Sequence, residues 1–255
     1  MNWTINSKFQ NEEKQLVTII NNYDQAGEDF GNQDRNSLKL FNLNGMTVNV
    51  KSFKVPNLVN QIAYKFFRKS KAQRSFEYAN KLATLGIGTP EPIAFFEFKS
   101  GLLFKKSYYI SEHLHYDLTY RELTTDFNYP NHETILRAFT RFTFKLHENG
   151  INFLDHSPGN TLIQINNGDY KFYLVDLNRM RFENMTFEER IKNFAKLTIH
   201  KSMVEIMSDE YAKLINRDYN KVYELMWSET EAFQNRFHNK RRIKNKILFW
   251  RPKKY

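Results

Sequence analysis

Residues 153–160 read FLDHSPGN. An acid, Asp155, stands five residues before an amide, Asn160, with Pro158 and Gly159 between them. Pro-Gly is a turn signal, so an ordinary surface turn accounts for the stretch by itself. The next residues open a second reading. TLIQI and YKFYLVD are β-prone runs joined by NNGD, a hairpin signal. If Ile165 pairs with Tyr170 or Lys171, paired residue numbers sum to 335 or 336, and the larger sum sets Asn160 opposite Asp176. Opposed residues of an antiparallel ladder have Cα atoms roughly 4.5–5.5 Å apart. Asp155 lies in the loop feeding the same strand. Two acids and an amide are thus expected at one end of a short hairpin.

Such a group has a chemistry. Mg²⁺ takes a few hard oxygen ligands and leaves the rest to water or phosphates. Asp176 and Asn160 are candidates to supply two oxygens, and Asp155 to orient a hydroxyl and accept its proton. Each residue alone has a plainer reading: a turn for Asp155 and Asn160, a strand-end cap for Asp176.

A phosphoryl-transfer site of this kind needs a second half, a strand lysine for the nucleotide phosphates and a helix glutamate to hold it. VNVKSFK offers Lys51 in an apolar-x-apolar-Lys strand, with Lys54 as a rival. Asn44-Gly45 between LKLFNL and MTVNVKSFK is a two-residue hairpin signal. Residues 58–85 read as helical, with Ala72, Phe76, Ala79 and Leu82 or Ala83 on one apolar face, Glu77 at its edge and Gly86 as the terminating glycine. TPEPIAFFEF and SYYISEHL read as two more strands around a turn at 99–101. The first forty residues leave a strand or short helix followed by a loop. Further on, Ile135, Phe139, Phe142 and Leu146 stripe a helix that Gly150 ends, and the remainder is mostly helical. The expectation is an α+β, two-lobed fold: 1–114 a small antiparallel sheet with one major helix, 115–255 a mostly helical lobe.

Composition bounds the function. The chain has 255 residues and is 41% hydrophobic, enough for a sizeable core. It has no cysteine, which excludes disulfides and thiolate metal sites and fits a reducing, cytoplasmic setting. No run of about 18 apolar residues is present, and MNWTINSKFQNEEKQ lacks the pattern of a secretory signal. The net charge of +10 favours an anionic partner: a phosphorylated ligand, an anionic membrane face or nucleic acid.

With these residues in view, the chain resembles the lipopolysaccharide kinase family, which phosphorylates Kdo or heptose of the inner core on a protein-kinase-like fold. The resemblance covers roughly 36–200 and rests on VNVKSFKVPN, RKSKAQRSFEYANKLATLGIGTPEPIAF, LHENGINFLDHSPGNTLI and YLVDLNRMRF, in a form like that of Bacteroidetes-type proteins. It implies an ATP- and Mg²⁺-dependent enzyme with an anionic glycolipid as acceptor. Lys51 would contact the nucleotide phosphates and Glu77 would pair with it. Asp155 would be the catalytic base, and Asn160 and Asp176 would hold magnesium. YYISEHL would be the hinge, with backbone groups of Glu112, His113 and Leu114 meeting adenine.

The chain departs from protein-kinase patterns in three places. Phe153-Leu154 stand where His-Arg would, Leu-Asn-Arg follows Asp176, and no Gly-x-Gly-x-x-Gly exists, Gly27 and Gly31 being the only candidates. Two other functions stay open: a pseudokinase-like module binding an anionic glycolipid or partner protein, and a kinase for another small molecule or a protein. The tail NKRRIKNKILFWRPKKY mixes Lys and Arg with Ile243, Ile247, Leu248, Phe249 and Trp250. It reads either as a peripheral inner-membrane anchor or as a packed final helix; no nucleic-acid recognition motif accompanies it. His147 reads as structural, and His156 as facing the acceptor or solvent.

Overall fold

A computed structural model describes residues 1–31, 36–66, 68–101 and 103–247. It divides into two compact units. The first is Met1–Asp117 with Tyr173–Met180, and the second is Leu118–Phe172 with the chain from Arg181 onward.

The first unit runs β1 (Asn2–Ile5), a 3-10 segment, α1 (Glu13–Asn21), β2 (Glu28–Asp29), β3 (Asn36–Leu43), β4 (Met46–Phe53), α2 (Leu58–Phe66), α3 (Lys71–Thr84), β5 (Pro92–Ser100) and β6 (Leu103–Glu112). The strands form one antiparallel sheet in the order β1-β5-β6-β4-β3-β2. Asn44 and Gly45 take φ of 50° and 89°, the pair of positive values a two-residue hairpin turn needs, and this sets β3 against β4 from Leu43–Met46 to Asn36–Phe53.

The period of two along β4 divides its side chains between faces. Val48 and Val50 join Leu16, Ile19 and Ile20 of α1 in one core cluster. Phe53 joins Ala72 and Phe76 of α3 and Phe95 in another. Lys51 shares the parity of Phe53 and so faces the α3 side. The expected single helix over 58–85 is two. Ser70 stays extended, and its hydroxyl accepts the Gln73 N–H, capping a new start. At the other end Gly86 (φ 65°) donates to Ala83 O and Ile87 to Leu82 O, the Schellman pair of bonds.

The second unit holds β7 (Leu118–Thr119), α4 (Tyr120–Thr125), α5 (His132–Glu148), β8 (Ile151–Phe153), β9 (Thr161–Asn166), most of β10 (Asp169–Leu174) and of β11 (Met180–Phe182), α6 (Phe187–Asn193), α7 (Lys201–Leu214) and α8 (Tyr219–Ile247). Ile135, Phe139 and Leu146 of the α5 stripe are fully buried and Phe142 partly so. The core continues through Tyr120, Phe194, Met207 and Tyr211 to Val222 and Met226 of α8. Residues 235–246 of α8 are exposed throughout. Gly150 ends α5 with φ of 64°, and a Cβ there would meet the Glu183 carbonyl oxygen at 3.1 Å. The chain thus turns tightly from α5 into β8 and the loop that follows.

Candidate active site

The second unit carries Asp155 and Asn160. β8 ends at Phe153, and Pro158–Asn160 form one 3-10 turn before β9 begins. Three consecutive carbonyls of this loop are each held by a different side chain. Asn193 Nδ2 donates to Phe153 O at 3.0 Å, Lys196 Nζ donates to Leu154 O, and Asn160 Nδ2 donates to Asp155 O at 2.8 Å. Lys196 Nζ also lies 3.8 Å from Asp155 Oδ1. Three successive carbonyls around Asp155 are thus each tied down by a side chain. No motif in the sequence singles out Asn193 or Lys196; the only local signal nearby is the Thr186-x-x-Glu189 capping box that starts α6.

His156 does not face an acceptor or solvent. It is fully buried, with Nδ1 3.0 Å from Asn193 Oδ1. His147, also buried, is 2.7 Å from the Tyr211 hydroxyl through Nδ1 and 3.4 Å from the same Asn193 oxygen through Nε2. Asn193 Oδ1 only accepts, so both rings present N–H to it, and Tyr211 donates to His147. Burial pushes the His147 imidazole down to about 3, with the neighbouring His156 adding to it, and burial pushes His156 down to about 4.

The unfolded chain then binds two protons, below about pH 6.5, that the folded chain refuses until pH 3–4. The stability these rings contribute is complete above about pH 6.5 and is lost as pH falls from there towards 4 and then 3. Denaturant unfolding at pH 7 and pH 5 should differ by roughly 2–4 kcal/mol. A flat profile over that window would mean that the two imidazoles are solvated.

The first unit carries Lys51, Asp176 and Glu77. Lys51 Nζ is 2.8 Å from Asp176 Oδ1, and Asn178 Nδ2 donates to the same oxygen at 2.6 Å. Both partners are partly buried. Asp176 sits in the left-handed region at φ 57°, which Asp tolerates better than most residues. The segment before it is tied to this unit: Leu174 N–H donates to Gly88 O and Thr89 Oγ1 donates to Leu174 O, each at 2.9 Å.

The β9–β10 hairpin does not set Asn160 opposite Asp176 as expected. β9 and β10 are joined by Asn167 and Gly168 alone, at φ 49° and 90°. Asn160 lies in the 3-10 turn before β9, and Asp176 lies beyond the end of β10 at Leu174. Neither residue is a rung of the ladder.

The expected Lys51–Glu77 pair is not formed in this structure. Glu77 accepts from Lys69 at 2.7 Å and from Gln73 at 3.0 Å. Of the hinge residues, Glu112 N–H donates to Glu91 O and His113 N–H to Thr47 O, both at 3.0 Å. These two donors complete the sheet rather than facing a base. Burial, with His115 beside it, lowers the His113 imidazole from its ordinary value. Gly27 precedes β2 and serves packing, since a Cβ there would lie 2.5 Å from the Phe41 ring. Gly31 lies after β2, and residues 32–35 lie outside the described residues. Among the described residues no group of three or more His, Cys, Asp or Glu is placed to hold a metal.

Three comparisons bear on this geometry. No curated protein matches the chain by sequence. Among solved structures, the chain is similar to a WaaP solved in complex with acyl carrier protein, at a TM-score of 0.63 and 15% identity, covering 94% of this chain and 99% of that one. It is also matched to the MAP kinase LmaMPK10 from Leishmania major at a TM-score of 0.47 and 17% identity, covering 79% of this chain and 61% of that one. The WaaP likeness shows the fold, α+β and protein-kinase-like. The model of the lipopolysaccharide kinase (Kdo/WaaP) family matches residues 51–224, well over half of the 255. That span begins at Lys51 and includes Glu77, Asp155, Asn160 and Asp176, so the chain belongs to the lipopolysaccharide kinase (Kdo/WaaP) family, phosphotransferases that act on a sugar hydroxyl.

Proposed function

We propose that the chain transfers the γ-phosphoryl group of ATP, with Mg²⁺, to a Kdo or heptose hydroxyl of the lipopolysaccharide inner core. The observation that carries this reading is the family match, which spans every polar residue the chemistry needs. Local geometry supports it. Asn160 spends its Nδ2 on the Asp155 carbonyl, which leaves its amide oxygen as the candidate ligand. Asp176 holds Lys51 and Asn178 through Oδ1 and keeps a second carboxylate oxygen. Carboxylate and amide oxygens are the donors magnesium prefers, so the residues fit the ion. When bound, it would neutralise charge developing on the phosphates.

In this reading Lys51 binds the phosphates and Asp155 takes the proton of the acceptor hydroxyl. The acceptor oxygen forms a bond to the γ-phosphorus as the bond to the β-phosphate oxygen breaks, and ADP leaves. Lys51 has Asp176 as its partner, so Glu77 acts from its pair with Lys69. Of the hinge residues, Leu114 is the one whose backbone N–H makes no ladder or turn bond among the described residues, and it is assigned to the adenine.

Peripheral association with the inner face of the inner membrane is part of the proposal. The exposed end of α8 carries Lys240, Arg241, Arg242, Lys244 and Lys246 with Phe237 and Ile243. Each such cation contributes about 1 kcal/mol near an anionic surface. Leu248, Phe249 and Trp250 lie outside the described residues. Among the described residues no helix is long and apolar enough to cross a membrane.

The test is transfer of labelled γ-phosphate from Mg·ATP to Kdo-bearing lipid A, to heptose-bearing core and to sugar-free lipid A. Label on a sugar-bearing lipid alone supports the reading and names the sugar. Label on none of them, with Mg·ATP bound, moves the acceptor to another small molecule or a protein. No nucleotide binding at all makes the chain a glycolipid- or partner-binding module.

A further inference from the structure

Asp155 is held by more than its own loop. Residues 193 and 196, one helical turn apart, reach consecutive carbonyls just before it: Asn193 to Phe153 O and Lys196 to Leu154 O. Their backbone has little freedom. Phe194, Ala195 and Leu197 are buried, and Ala195 N–H and Leu197 N–H close turns onto Lys192 O and Phe194 O at 3.1 and 2.9 Å. The backbone at Lys196 is thus anchored, and from it the ammonium reaches the Leu154 carbonyl.

Only one of the three side chains holding the loop carbonyls is charged. Lys196 Nζ sits 3.8 Å from the Asp155 carboxylate, and both side chains keep some solvent access, at 33% and 25% of their areas. An ammonium donating to the carbonyl next to an acid, and within ion-pair reach of that acid, does two jobs. It fixes the peptide on which the acid is mounted. It also offsets negative charge where the carboxylate must come close to a phosphoryl group. The residues following Asp155 in the loop itself are His156, Ser157 and Pro158, none of which brings a cation; His156 is buried and its ring is disfavoured as an imidazolium.

We infer that Lys196 is a positioning residue for the transfer reaction, a cation supplied from the segment after α6 that clamps the Leu154 carbonyl and sets the Asp155 carboxylate in a favourable field. The inference rests on the reading of Asp155 as the base. It adds a residue of a different element, 41 positions away, to the machinery.

Four variants separate its parts. Lys196→Met keeps the apolar stem and removes donor and charge. Lys196→Gln keeps a donor alone, and Lys196→Arg keeps both. Under saturating Mg·ATP and acceptor, Lys196→Met should lose about 10–100-fold in kcat with KM values within about threefold, the pattern of an interaction made in the transition state. Lys196→Gln should stay within about threefold of Lys196→Met, and Lys196→Arg should recover most of the loss. A small alkylammonium ion added to a Lys196→Ala variant should restore part of the rate, which a purely structural lysine would not permit. Wild-type kcat in Lys196→Met overturns the inference, and wild-type kcat in Lys196→Gln overturns its charge component.

Amide hydrogen exchange over 153–157 is measured on the same proteins without nucleotide. Exchange about tenfold faster in Lys196→Met, with α5 and α7 unchanged, supports the clamp, and unchanged exchange removes it. This arm decides the clamp even if the wild-type chain transfers no phosphate, an outcome that would count against the kinase reading itself. Loss in Asp155→Asn with none in Lys196→Met leaves that reading intact and sinks only the role of Lys196.

Discussion

Asp155→Ala is expected to lower turnover of phosphoryl transfer by about 10²–10⁴-fold, the range for losing a general base, or about 3–5 kcal/mol of barrier. The fold should survive. The backbone at 155 is held through its carbonyl by Asn160, a bond the substitution leaves in place. The ion pair with Lys196 is long and partly solvated, and such pairs contribute about 0–1 kcal/mol. Thermal unfolding and nucleotide affinity should therefore stay close to wild type while kcat collapses. Wild-type turnover in this variant would remove Asp155 from the chemistry. A parallel loss of melting temperature and kcat would instead make it a structural residue of the loop.

Removing the charge of Asp176 should abolish magnesium-dependent nucleotide binding, with a loss beyond the roughly 10–100-fold typical of an outer-shell partner of a metal. The choice of substitution matters. At φ 57° an alanine adds about 1–2 kcal/mol of backbone strain, which would blur the result. The Asp176→Asn variant avoids this, because an asparagine tolerates that conformation and its amide can still meet Lys51 and Asn178. Titration with ATP at fixed magnesium, and again with magnesium chelated, should give a large difference for wild type and none for Asp176→Asn. Unchanged magnesium dependence would take Asp176 out of the metal site and leave it as the anchor of Lys51.

The parts of this protein that can be read from its sequence are those in which neighbours along the chain decide the outcome. Asn44-Gly45 specifies its turn because both residues accept positive φ, and the hairpin carries Lys51 with it. The stripe Ala72, Phe76, Ala79 and Leu82 specifies a helix face because its spacing matches the helical turn, and Gly86 ends it for the same local reason. The five-residue spacing from Asp155 to Asn160 is bridged within one loop. The family resemblance itself rests on the longer stretches in which these features sit, from VNVKSFKVPN to YLVDLNRMRF.

Tertiary structure decided the partners. Lys51 pairs with a residue 125 positions away, and the glutamate expected for it is taken by Lys69, eight positions off. The edge strand β1 finds β5 from Asn2–Glu97 to Ile5–Ala94, and α1 covers one face of the sheet, from a stretch whose own pattern favours no single state. His156 lies in the interior because Asn193 and the helices around it close over a loop that looks polar in sequence. Asn193 and Lys196 reach the loop carbonyls across forty and forty-two residues. Periodicity and turn preferences act over a few residues, whereas an ion pair or a side chain capping a carbonyl depends on where distant backbone is brought. The sequence alone therefore determined the turns, helix faces and candidate residues, and the packed chain determined which distant side chains hold one another in place.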